Sequence, residues 1–145
     1  MTTNERTPPT FAQQRVISLG LLLGMLSYGM VVAVMLIQNG NQGMATEHIE
    51  WLDIAVPATG VACAVLAVLI RRAVSASAAP LFGAARSNAM FRATLVPMAI
   101  VEGGCLFSLT AWLLNANMLP HLATALVLLT LSISFMPFRD PDATI

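Results

Sequence analysis

The chain has 145 residues, 57% of them hydrophobic and only 10% charged, with a mean hydropathy of +0.78 and a formal net charge of zero. A soluble domain carries about a quarter charged residues, so this composition excludes an ordinary water-soluble fold. Zero net charge removes the bulk electrostatic case for nucleic acid or an acidic partner.

Residues 1–14, MTTNERTPPTFAQQ, are polar, contain Pro8-Pro9 and read as a mobile N-terminal tail. Arg15 then precedes an apolar run, 16–37, long enough against the roughly 20 residues needed to cross a bilayer. A cleaved leader would have a shorter apolar core of roughly 7–15 residues and a small-residue cleavage site, and QNGNQGMATEH after Ile37 offers none. Gly20 and Gly24, then Gly29 and Ala33, repeat small residues four apart, a spacing that lets helices approach closely.

The next segment, 38–50, is a polar loop with Glu47, His48 and Glu50 and no arginine; Trp51 and Asp53 mark an interface. A second crossing is predicted over 52–70, bent near Pro57 and stopped by Arg71-Arg72. The Ala/Ser-rich stretch 73–90 is too polar to span; its first half can extend the second helix towards Pro80, and Ser87 or Asn88 suits an N-cap for the third. The third crossing is FRATLVPMAIVEGGCLFSLTAWLL, 91–114. Asn115-Ala116-Asn117 makes a tight connection to a fourth helix over 118–136, with Pro120 in its first turn. Residues 138–145 form a short C-terminal tail.

The prediction is therefore an all-α polytopic membrane protein, a single domain over 15–137 with four transmembrane helices in a bundle. When segments are assigned alternately to two sides, Arg6, Arg15, Arg71, Arg72, Arg86, Arg92 and Arg139 all fall on one. The positive-inside rule makes that side cytoplasmic and places both termini there, in a cell inner membrane. Trp51 and Trp112 then sit at the opposite interface, as amphipathic aromatics prefer.

One carboxylate, Glu102, interrupts the third apolar run. It lies ten residues past Arg92, roughly 15 Å along the helix axis and so near the bilayer centre. Ionisable groups at that depth are expensive and mark functional sites by default. Ser27 and Tyr28 reach the same level from the first helix, Thr59 from the second and Thr130 from the fourth, and if they face inward they form one polar layer. Pro97 removes a backbone donor and predicts a kink, while Gly103 and Gly104 admit a neighbouring backbone beside the carboxyl. With no cation at that depth, Glu102 is expected to stay protonated at neutral pH. Two roles are open for it: a hydrogen-bonding anchor between helices, or a proton- or cation-binding carboxyl.

No catalytic set, phosphate loop or metal-ligand spacing occurs, so neither enzyme activity nor a cofactor nor a metal is expected. His48 and His121, near the outer face with Glu47 and Glu50, read as solvated, and Cys63 and Cys105 as small packing residues.

RVISLGLLLGMLSYGMVVAVML and VPMAIVEGGCLFSLTAWLLN resemble the first and third helices of a group of small, uncharacterised four-helix bacterial membrane proteins, a likeness that implies no activity. MFRATLVPMAIVEGGCLFSLTAWLL is similar to the carboxylate-bearing helix of ATP-synthase proteolipid (ring) subunits, and that resemblance implies that Glu102 binds an ion. The preceding helix departs from the proteolipid pattern in having one glycine, Gly60, in place of a glycine repeat. The first expectation is a non-enzymatic accessory or oligomerising subunit whose partners are the lipid bilayer, further copies of itself or other membrane subunits; the alternative is a proton- or cation-linked transport component using Glu102.

Overall fold

A computed structural model describes residues 10–137, which are all helical apart from their connections. Four segments, Phe11–Gln38, Glu50–Ala78, Gly83–Asn115 and Met118–Phe135, are long and apolar enough to cross a membrane. The tails 1–9 and 138–145, with Arg6 and Arg139, lie outside the described residues.

Helix α1 is Phe11–Gln38 and starts five residues ahead of its apolar run. A capping box explains the early start: Thr10 Oγ1 accepts the Gln13 N–H at 3.3 Å while Gln13 Oε1 accepts the Thr10 N–H at 2.9 Å. Residues 11–14, read from sequence as tail, are therefore helical. Helix α2, Glu50–Ala78, carries Pro57 inside it and continues past Arg71-Arg72. Helix α3, Gly83–Asn115, begins eight residues before the expected start, so Ser87 and Asn88 lie within it rather than capping it. It is one continuous helix through Pro97, whose ring is fully buried. The fourth segment is divided: a π-helical turn, Met118–Leu122, in which Leu119 leaves helical geometry, precedes α4, Ala123–Phe135.

Helix α3 is the central element. It packs against α1, α2 and α4, whereas α1 and α2 make no close backbone approach to each other. Gly24 and Gly29 of α1 lie against Glu102 and Leu109 of α3, so these two helices run parallel. Cys63 of α2 lies against Gly104, and Cys105 Sγ donates to the Ala125 carbonyl of α4 at 3.6 Å, with both partners running antiparallel to α3. This arrangement collects Arg15, Arg71, Arg72, Arg86 and Arg92 at one end of the helices. The core includes Met25 and Val32 from α1, Ala67 from α2, Met98, Val101 and Cys105 from α3, and Leu128 from α4. The outward faces are apolar as well: Ile54 is 75% exposed and Val61 and Val127 65% each. A helix apolar all round suits surroundings of lipid or further helices.

The glycines sort by what surrounds them. A Cβ on Gly104 would meet Cys63 Sγ and Leu128 Cδ1, each at 3.1 Å, and one on Gly60 would strike Thr124 Cγ2. Gly20 and Gly103 face open space and Gly24 touches only the Glu102 carboxyl, so within the chain Gly20 and Gly103 do not perform the packing role expected of them. Gly43, in the α1–α2 loop, is pressed against the Leu114 carbonyl. There the loop crosses the end of α3 and supplies donors to its open carbonyls, Met44 N–H to Leu113 at 3.0 Å and Ala45 N–H to Leu114 at 3.1 Å.

Candidate functional site

Glu102 lies on the side of α3 that faces α1. It is half-buried, and its Oε1 is 3.6 Å from where a Cβ of Gly24 would stand. A Cβ at Gly24 would be in ordinary van der Waals contact with that oxygen, so the carboxyl rests against α1 at this position. Among the described residues, no group hydrogen-bonds or ion-pairs with the carboxyl.

The polar layer expected at its level does not assemble. Ser27 is exposed and donates back to the Gly24 carbonyl of its own helix at 3.0 Å. Thr130 is exposed on α4 and donates to the Leu126 carbonyl at 2.8 Å. Thr59 is half-buried on α2, the helix that makes no close approach to α1. Tyr28 does face α3, but its phenol oxygen lies 2.9 Å from Thr110 Oγ1. Thr110 spends its one hydroxyl hydrogen on the Leu106 carbonyl at 2.8 Å, so Tyr28 is the donor and Thr110 the acceptor. This inter-helix bond is the anchor that sequence reasoning sought at Glu102, and Thr110 is the partner it missed.

A second polar constellation stands at the opposite end from the arginines. Asp53, in the first turn of α2, has His48 Nε2 3.0 Å from Oδ2 and His121 Nε2 3.4 Å from Oδ1. His48 is exposed, whereas His121 is fully buried, so the solvated reading fails for His121. The helix N-terminus favours the carboxylate, and the carboxylate in turn faces two imidazoles. Beside it, Asn115 bridges the loop to α3: its Oδ1 accepts the Ile49 N–H at 3.1 Å and its Nδ2 donates to the Ile49 carbonyl at 3.0 Å. Glu47 and Glu50 are exposed. Among the described residues no group of three His, Cys, Asp or Glu side chains is arranged to hold a metal ion. The readable signal for this cluster was an aspartate in a helix first turn together with a histidine inside an apolar segment; the pairing itself depends on the fold.

Both cysteines are free thiols, Cys105 buried and Cys63 packed at Gly104. No protein-family model, curated protein or solved structure matches the chain.

Proposed function

We propose that the chain is a multi-pass protein of a bacterial inner membrane, with both termini on the cytoplasmic side, and that it acts as a non-enzymatic subunit assembling with a second copy or another membrane subunit through the α1/α3 edge. The observation that carries this reading is the Glu102 carboxyl, half-buried against Gly24 and without a partner among the described residues. A carboxyl in hydrocarbon requires a hydrogen-bonding partner, and here that partner comes from outside. Gly20, one turn from Gly24, and Gly103, next to Glu102, have open space where a side chain would stand, so an incoming helix can approach the backbone closely.

The test is subunit stoichiometry in lipid, read by single-molecule photobleaching of reconstituted protein. Glu102→Gln keeps a donor and an acceptor and retains assembly. Glu102→Leu and Gly24→Leu weaken association by about 1 kcal/mol, roughly fivefold, the scale of one inter-helix hydrogen bond in a membrane. Assembly of Glu102→Leu equal to that of the parent overturns the reading.

The same unpartnered carboxyl favours one other reading, a proton- or cation-linked transport component. That reading agrees with the resemblance of α3 to the proteolipid carboxylate helix. It predicts carbodiimide labelling at Glu102 and loss of proton movement in Glu102→Gln liposomes. Because Glu102→Gln preserves assembly and removes the titrating group, this variant separates the two.

A further inference from the structure

Helices α2 and α4 leave between them an open groove of about 750 Å³. Its walls are apolar, built from Val65, Val68 and Leu69 on one side and Leu126, Val127 and Leu131 on the other. Small Ala64 leaves the floor unfilled, and Ser134 stands at one end. That end holds the cation. Arg71 Nη1 donates to the Ser134 carbonyl at 3.2 Å, and the guanidinium lies over the Phe135 ring, 4.8 Å from its centroid. One carbonyl satisfies a single one of its five N–H donors. Among the described residues neither Arg71 nor its exposed neighbour Arg72 has a carboxylate at ion-pair distance.

An apolar trough that ends on a fixed guanidinium, with no carboxylate partner among the described residues, is complementary to a molecule with a long hydrocarbon chain and an anionic head. We propose that the α2/α4 groove binds an anionic phospholipid, one acyl chain lying along the α2 and α4 walls and the phosphate on Arg71, with Arg72 beside it. Arginine offers the planar fork that phosphate oxygens match. Basic positions between membrane helices on the cytoplasmic side are suited to such headgroups. The Phe135 ring and the Ser134 carbonyl fix the guanidinium at the mouth of the groove, so the headgroup meets an ordered donor. The inference rests on the chain crossing a membrane with its arginines in the anionic leaflet, and it is independent of Glu102.

The experiment is native mass spectrometry of the full chain released from nanodiscs that contain equal phosphatidylglycerol and phosphatidylcholine of matched acyl chains. The parent retains phosphatidylglycerol preferentially. Arg71→Gln lowers that preference about fivefold, the equivalent of ~1 kcal/mol for one arginine at a membrane surface, and Arg71→Lys, which keeps the charge without the planar fork, restores only part of it. Val127→Trp fills the groove from an exposed position and removes the retained lipid while leaving every arginine in place. Equal retention of the two lipids by the parent overturns the proposal. So does an unchanged preference in Arg71→Gln, or a preference that survives Val127→Trp, which would assign the effect to the general charge of that face. Subunit stoichiometry is unaffected by these variants, so failure here is distinct from failure of the assembly reading.

Discussion

Tyr28 donates its phenol hydrogen to Thr110 Oγ1 across 2.9 Å, and this bond ties α1 to α3 about 12 Å along the helix axis from Glu102. Thr110 is held ready by its own bond to the Leu106 carbonyl. Tyr28→Phe and Thr110→Val should each destabilise the fold by about 1 kcal/mol. A double-mutant cycle should return a coupling of roughly 0.6 kcal/mol, the average for inter-helix hydrogen bonds in lipid. Thermal unfolding in nanodiscs measures it, and additive single effects would show that the two oxygens do not depend on each other.

The glycines give opposite expectations according to what faces them. Gly104→Ala drives a methyl to 3.1 Å from Cys63 Sγ and Leu128 Cδ1, and Gly60→Ala drives one into Thr124. Each should cost about 1–3 kcal/mol by overpacking. Gly20→Ala and Gly103→Ala enter open space, so the helix-propensity gain of alanine, up to ~1 kcal/mol, should leave the subunit as stable as the parent or more so. Thermal midpoints of the four variants, ranked side by side, check this; equal losses at all four would contradict the packing.

Much of the architecture was legible because hydropathy carries it. Four apolar runs gave four helices, and their antiparallel neighbours brought the described arginines to one end. Helix ends were less legible because they are polar. The first turns of α3 carry Arg86, Ser87 and Asn88, which hydropathy cannot tell from loop, whereas the start of α1 carries a local signal independent of hydropathy, the Thr10/Gln13 capping box. The polar layer failed for a geometric reason. Counting rise from the helix ends set neither the shared level nor the azimuth: Tyr28 meets Thr110, about 12 Å along α3 from Glu102, and Ser27, about 100° round the helix from Tyr28, turns outward. Asp53 and His121 come together only because α2 and the fourth segment both pack on α3, a relation that no local pattern encodes.

The two buried serines supply a test in the stabilising direction. Ser18 and Ser132 are fully buried, and neither hydroxyl has a hydrogen-bond partner among the described residues. A buried hydroxyl without a partner is destabilising, whereas its removal leaves only a small void. Ser18→Ala and Ser132→Ala should therefore raise stability by on the order of 1 kcal/mol each. Chemical denaturation in mixed micelles reads the effect, and a loss in either variant would reveal a bond that the hydroxyl makes.

The loop end of the bundle is held by two adjacent devices, and removing each should expose the other. Asn115→Ala deletes both bonds to Ile49; the Ile49 carbonyl keeps the Leu52 N–H at 3.1 Å, but the half-buried Ile49 N–H is left unmatched, a cost of about 1–3 kcal/mol. Asp53→Ala deletes the carboxylate that faces His48 at 3.0 Å and the fully buried His121 at 3.4 Å. Both Asp53 and Asn115 act on the segment that crosses the end of α3, so both substitutions should raise hydrogen exchange at Met44, Ala45 and Ile49, whose amides bond to α3. The effects should fall short of additive, because either opening already frees the same stretch of backbone. Exchange at Tyr28 and Thr110 should not change, since their bond lies inside the bundle between α1 and α3. A rise there equal to that in the loop would mean that the loop and the α1/α3 contact open as one unit, and that the His48–Asp53–His121 cluster stabilises the whole bundle and not its end alone.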